Sequence, residues 1–372
     1  MFKLGVGRCG KRARAVLLAV AAVVICSVAA AAPASALTLA PYKPRLFFGV
    51  SDRGSTEEFY EFEEMVGKHP ALLATFHPWG NSLNRAYERW RETATRPILH
   101  ISTFDDQTLE ELITPKAIAR GDGDDYLLQI NFFFARRGLR AYIRPLGEPN
   151  RCLNPYSAVT CDGAQKGGDH RTVWYKQAFR RIVLITRGGR TLEELNAELA
   201  RIKLPPLNRS KGPEPRRLRE APIATIWSPL PAGSPRVRGN WPGNYWPGQR
   251  WVDWVGTDFY SRYPHWRDLE RFFRHRRYRR KPFALTEWAV SDADNPRFVR
   301  RLVYWTRKRP RVRMLVYYRG FGEDGNEYRL GLYPQTADLL RNKLRQPRFP
   351  VYAYGHAATL PEDEEEEEKS GE

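Results

Sequence analysis

Two glutamates lie in sequence settings that could do chemistry together. In LRAYIRPLGEPN, Leu139 to Asn150, a short apolar run (Leu139, Ala141, Tyr142, Ile143) passes straight into Arg144, Pro145, Gly147, Glu148, Pro149 and Asn150. This pattern predicts a buried strand ending in a rigid polar loop that carries an acid. A second run of similar shape, PFALTEWAV from Pro282 to Val290, holds Glu287 near its end. Paired carboxyls about 5 Å apart are what a retaining glycosidase uses, one as nucleophile and one as an acid that later acts as base. The plainer reading is that each is a loop carboxylate, solvated or paired with arginine. Two such glutamates, at the ends of the fourth and seventh predicted strands, favour the catalytic reading.

Other chemistries find less support. The chain has no Gly-x-Ser-x-Gly elbow. Its histidines (His69, His77, His100, His170, His265, His275, His356) show no metal-ligand spacing, so no metal site is expected. His77 and His100 fall near predicted strand ends, where they could line a pocket or simply be core and loop residues. Gly5 to Gly10 matches the dinucleotide fingerprint letter for letter, but no strand precedes it. No cofactor is implied.

The elements that must position the two acids alternate regularly. Strands are predicted at Leu46–Val50, Leu72–Phe76, Pro97–Phe104, Leu139–Arg144, Ile223–Trp227, Val252–Tyr260, Phe283–Glu287 and Arg313–Tyr318. Between them the 3.6-residue stripe of amphipathic helices recurs, with Ser55 and Glu58 placed as a capping box, Asp124 as an N-cap, and Gly67 and Gly138 as stops. Eight strands alternating with helices predict a single-domain α/β (β/α)8 TIM barrel; a doubly wound sheet is the alternative.

The N-terminus has Lys3, Arg8, Lys11, Arg12 and Arg14 ahead of an apolar run from Ala15 to Ala32, then Ala34-Ser35-Ala36. This predicts a secretory signal peptide over 1–36, with an uncleaved anchor as the alternative. No later stretch is long and apolar enough to span a bilayer, so a secreted or extracytoplasmic protein without a membrane span is expected. Cleavage would leave Cys152 and Cys161 as the only cysteines, and in an oxidising compartment they should pair just after Glu148. The net charge is +19; discounting the signal and PEDEEEEEKSGE (Pro361 to Glu372), with its eight acids and one lysine, leaves a body of about +21. Contact with an anionic cell surface is one reading of that charge; solvated helix faces are the other and the favoured one, and no specific nucleic acid partner is expected. The acidic end, 356–372, reads as a disordered, solvating tail after a barrel domain over 37–355.

Several of these segments resemble glycoside hydrolase family 26, the clan A barrels that include β-mannanases. The likeness runs from Ile118–Gly121 and Asp124-Asp125-Tyr126 through Arg144–Asn150, Trp174-Tyr175-Lys176, Trp227-Ser228-Pro229 and Tyr245–Gly248 to Val252–Tyr260 and Thr286-Glu287. It implies Glu148 as acid/base, Glu287 as nucleophile, Tyr260 bonded to the nucleophile, and a polysaccharide or oligosaccharide substrate, with mannan first among β-linked glycans. Arg144, Asn150, Trp227, Tyr260, Trp288 and Tyr318 are the expected substrate-binding residues, with Trp246 and Trp251 as further candidates to stack on sugars. The family commonly has His before the acid/base, where this chain has Gly147, and the cysteine loop replaces a tryptophan-rich segment.

Overall fold

The computed structural model describes residues 38–353 apart from 52–53, 106, 211, 213–214 and 321–326. The expected signal peptide and acidic tail lie outside the described residues. Eight strands close into a barrel: β1 (Phe47–Ser51), β2 (Leu72–His77), β3 (Arg96–Ile101), β4 (Ala141–Pro145), β5 (Ile223–Trp227), β6 (Trp254–Tyr260), β7 (Phe283–Ala289) and β8 (Val312–Tyr318). Each pairs in parallel with its neighbours in sequence, and β1 closes on β8 in the register Phe47 to Met314. The chain is therefore a (β/α)8 barrel and not a doubly wound sheet.

The period-2 alternation of strands explains where the core sits. Phe47, Leu72, Ile98, Tyr142, Trp254 and Met314 point inward and fill the barrel. Residues one step along each strand, such as Phe48, Leu73, Leu99, Ile143 and Leu315, point outward against the helices in a larger second core. At the carboxyl ends the inward row changes from apolar to charged: two residues beyond Tyr142 comes Arg144, and four beyond Trp254 comes Asp258.

The helices are α1 (Thr56–Val66), α2 (Asn84–Glu92), α3 (Pro115–Arg120), α4 (Asp124–Arg137), α5 (Thr172–Arg187), α6 (Leu192–Arg201), α7 (Trp266–Arg274), α8 (Pro296–Arg307) and α9 (Pro334–Leu344). Ser55 caps α1 by accepting from the Glu58 amide, and Gly67 ends it at φ 60°. Gly138 ends α4 in the same way, at φ 58°. Asp124 departs from expectation: it is the first residue of α4, makes no cap, and lies buried with both carboxylate oxygens bonded to Arg181 of α5. Helix α6 and a two-stranded ribbon (Arg190–Thr191 with Arg217–Leu218) are inserted between α5 and β5. Among the described residues no helix is long and apolar enough to cross a membrane.

Candidate active site

At the carboxyl ends of the strands a cleft of about 680 Å³ opens, and Glu148, Asp258, Tyr260, Glu287 and Tyr318 all line it. Behind the lining carboxyls lies one arginine. Arg144, at the end of β4 and 3% exposed, donates from Nε to Ser228 Oγ at 2.6 Å, from Nη1 to Glu287 Oε1 and from Nη2 to Asp258 Oδ2. Tyr260 donates to the other Glu287 oxygen, Oε2, at 2.6 Å, as the family resemblance implies. Thr286 donates to Asp258 Oδ1 at 2.7 Å.

A β-bulge brings Glu287 to this position. Thr257 of β6 faces Leu285 of β7 but the next residue, Asp258, faces Glu287, so β7 carries one extra residue at Thr286. Leu285 belongs to the outer core, and strict alternation would send Glu287 outward with it. The bulge sets both Thr286 and Glu287 toward the cleft side, each bonded to a group there.

Glu148 is held in a loop of unusual backbone. Leu146 and Glu148 both have φ 48°, left-handed for residues with a side chain, which costs on the order of 1–3 kcal/mol each. The bonds that offset it are local: the Glu148 amide donates to Ser228 O at 2.8 Å, Tyr156 donates to Gly147 O at 2.5 Å, and Asn154 donates to Glu148 O at 2.9 Å. The Gly147 amide donates to His100 Nε2 at 3.2 Å. Burial, reinforced by Arg144, pushes His100 well below the usual imidazole range, so its ring is neutral and Nε2 accepts.

Gly147 has a steric reason. A Cβ at this residue would lie 2.8 Å from Cζ, Nε and Nη2 of Arg144. The space a larger side chain would need is filled by the guanidinium that binds Glu287 and Asp258.

The electrostatics separate the carboxyls. Burial pulls the Arg144 guanidinium downward, but Asp258 and Glu287 beside it reverse this and keep it charged. Burial raises the Glu148 carboxyl above the usual carboxylate range, Arg151 opposes that rise, and Glu287 adds to it. Asp258 is also pushed well up, by burial first, against the pull of Arg144. Burial, then Glu287, raises the Tyr260 hydroxyl far enough to keep it protonated as a donor. Three carboxyls thus face two guanidiniums, Arg144 and Arg151, which leaves room for one proton. Glu287 is held directly by Arg144 and Tyr260, whereas Glu148 and Asp258 are both pushed upward and share a hydrogen bond, so the proton lies within the Glu148–Asp258 pair.

Several expected contacts lie elsewhere. Trp227 and Trp288 are fully buried and do not border the cleft; Trp227 packs on Trp246 and Tyr278, Trp288 on Tyr317. Neither offers a face to a sugar, because each points outward from its strand into the helix layer. Trp246 and Trp251 are likewise outside the cleft lining. Asn150 is also fully buried and does not border the cleft: its side chain donates to Leu230 O and accepts from the Leu230 amide, tying the β4 loop to the β5 loop. Tyr318 does border the cleft, together with Phe76 and Phe104. Asp258 is the site residue that sequence reasoning passed over; its position two before Tyr260, on the same strand face, was the available signal. Cys152 and Cys161 form the expected disulfide, shortly after Glu148 and with a sequence separation of 9. Among the described residues no group of His, Cys, Asp or Glu is arranged to hold a metal ion.

No protein-family model and no curated protein matches the chain. Among solved structures it is similar to PbGH26A-GH5A, an endo-beta-mannanase/endo-beta-glucanase of Prevotella bryantii, at 13% identity and TM-score 0.52, over 88% of this chain and 48% of that one. It is similar also to a double mutant of the endo-beta-1,4-mannanase of Cellulomonas fimi, at 13% identity and TM-score 0.51, over 85% of this chain and 73% of that one. The chain spans about half the length of the first of these. At such identity the likeness is one of architecture: this chain has the (β/α)8 fold that these two β-mannanases also have.

Proposed function

We propose that the protein is an exported retaining glycoside hydrolase that cleaves a β-linked polysaccharide, with β-mannan the first substrate to test. The observation that carries this reading is that Glu148 and Glu287, from β4 and β7, line one cleft in different electrostatic settings. The Glu287 carboxylate, oriented by Arg144 and Tyr260, attacks the anomeric carbon while Glu148 gives its proton to the departing glycosidic oxygen. Water then enters, Glu148 takes a proton from it, and the ester to Glu287 is hydrolysed with release of the sugar. Asp258 shares Arg144 with the nucleophile and so fixes the guanidinium between them. Tyr318 and Tyr260 supply aromatic edges for the sugar chain. Export, signal removal over 1–36 and a barrel domain over 37–355 belong to the same reading, which the disulfide supports.

Incubation with a panel of β-mannans, β-glucans and β-xylans, followed by reducing-end measurement, tests it. Wild type releases ends from at least one glycan, and Glu287→Ala loses at least about a thousandfold in rate. Binding without release by the wild type would instead support a non-catalytic carbohydrate-binding barrel.

A further inference from the structure

Helices α7 and α8, which follow β6 and β7 on the outside of the barrel, form one continuous basic face. From Trp266 to Arg280 seven arginines are exposed, and from Pro296 to Lys308 four arginines and one lysine, with no exposed Asp or Glu in either segment. The two helices pack together: Trp305 of α8 stacks edge-on against Phe273 of α7 with centroids 5.2 Å apart and donates to Glu270 at 2.9 Å. Glu270, the half-buried acid at this seam, is already taken by Arg274, Arg309 and Trp305. Asp268 is buried and pairs with Arg236 and Arg271. Arg267, Arg276, Arg279, Arg280, Arg297 and Arg300 make no ion pair among the described residues.

The spacing is ordered. Arg267, Arg271 and Arg274 recur along one stripe of α7, and Arg297, Arg300 or Arg301, and Arg307 along the facing stripe of α8. At a rise of about 1.5 Å per residue, successive arginines stand roughly 5–6 Å apart along α7 and at the start of α8, and about 9–10 Å apart between Arg300 or Arg301 and Arg307. Like charges at the shorter spacing repel by about 0.2–0.5 kcal/mol per pair. Asp268 and Glu270 offset this for Arg271 and Arg274, and Arg301 lies over the Trp266 ring at 4.2 Å. Among the described residues Arg267, Arg276, Arg279, Arg280, Arg297 and Arg300 have no acid against them, and an extended polyanion laid along the face would supply it.

We propose that this face binds a carboxylate-bearing polysaccharide and holds the protein on it. Guanidinium forks match carboxylates in bidentate geometry, and the step between charges is close to the length of one sugar residue in an extended chain. Nucleic acid fits less well: single strands are gripped by aromatic platforms interleaved with cations, and the exposed aromatic of the α8 stripe is Tyr304 alone. The face is outside the cleft, so binding here retains the protein near substrate without occupying the site.

The test uses the full-length protein on immobilised polygalacturonate, dextran and duplex DNA across a salt series. Retention on polygalacturonate and not on dextran, weakening steadily as salt rises, is expected. The variant Arg267→Glu/Arg297→Glu/Arg300→Glu should bind at least about tenfold more weakly at low salt, and the matching triple Gln variant by an intermediate factor. Neither should melt below the wild type, since removing mutual repulsion does not destabilise the fold, which shows that the fold is not what changed. No retention by the wild type, as expected if the chain's own acidic segment 361–372 fills the face, overturns the proposal. So does retention indifferent to salt or to the triple substitution, or tighter binding to duplex DNA than to polygalacturonate.

Discussion

Gly147→Ala isolates the role of the guanidinium beneath the cleft. Gly147 is not among the residues with positive φ, so alanine meets no backbone penalty there, and its effect must come from the added methyl. That methyl lies 2.8 Å from three atoms of the Arg144 guanidinium. Ordinary contact needs the guanidinium to retreat by roughly 0.6–1 Å. An arginine tip usually gives way cheaply, but this one is pinned by Ser228, Asp258 and Glu287. Overpacking of this kind costs about 1–3 kcal/mol, and full loss of the buried partner about 3–5 kcal/mol, so about 2 kcal/mol is expected. For a chain of this size that lowers the melting temperature by about 3 °C. On the proposed mechanism, misplacing the guanidinium that holds Glu287 should lower kcat/KM by roughly 10²-fold. Gly138→Ala is the control: it has φ +58° and nothing within 4 Å of a new Cβ, so it strains the backbone of α4 and leaves turnover alone. A double-mutant cycle with Arg144→Ala decides the cause. In that background Gly147→Ala should add almost nothing, giving a coupling of about 1–2 kcal/mol. Equal losses with and without Arg144 would refute the steric account, as would unchanged melting and turnover of the single variant.

Two further outcomes follow from the same charges. Arg151 opposes the upward displacement of the Glu148 carboxyl, so Arg151→Ala should raise that carboxyl further. A general acid works only while protonated, so activity that falls as pH rises through the folded pKa of Glu148 should persist to higher pH in the variant; an alkaline limb of kcat/KM that stays in place or moves down contradicts the assignment. Tyr260→Phe removes the donor to Glu287 Oε2 without changing ring packing, and a lost bond to a charged acceptor of about 1.5–3 kcal/mol should lower kcat by roughly 10- to 100-fold while KM changes little.

The barrel was legible because its strands are short apolar runs bounded by turn residues, and the helices between them carry clear stops such as Gly67 and Gly138. Strand ends were read one to three residues off at β3 and β4, where Pro97 and Leu139 look like strand residues but pairing starts at Arg96 and Ala141. Helix α3 was missed: PKAIAR is one and a half turns, too short to show a period. The two glutamates could be found from loop chemistry, yet their company could not. Which face Glu287 takes depends on a bulge at Thr286 that no alternation rule predicts, and Arg144 looks like a substrate contact until its guanidinium is seen against Asp258 and Glu287. Trp227 and Trp288 misled for the opposite reason, since an aromatic near a strand end reads the same whether it turns to the cleft or to the helices.

The loops after β4 and β5 are stitched together at several places. Ser234 donates to Asn150 O and receives from the Cys152 amide, each at 2.7 Å, Asn240 donates to Asn150 O at 2.9 Å, and Glu148 itself is anchored on Ser228. For protein engineering these two loops are one interchangeable part. Grafting a cysteine loop from another barrel without its β5 counterpart would leave Asn150 and Ser234 without their partners and let the acid drift. Exchanging residues 149–167 together with 229–240 as a single cassette keeps the stitching intact, so new wall shapes can be tried on this side of the cleft while Arg144, Glu148, Ser228 and Glu287 stay in place.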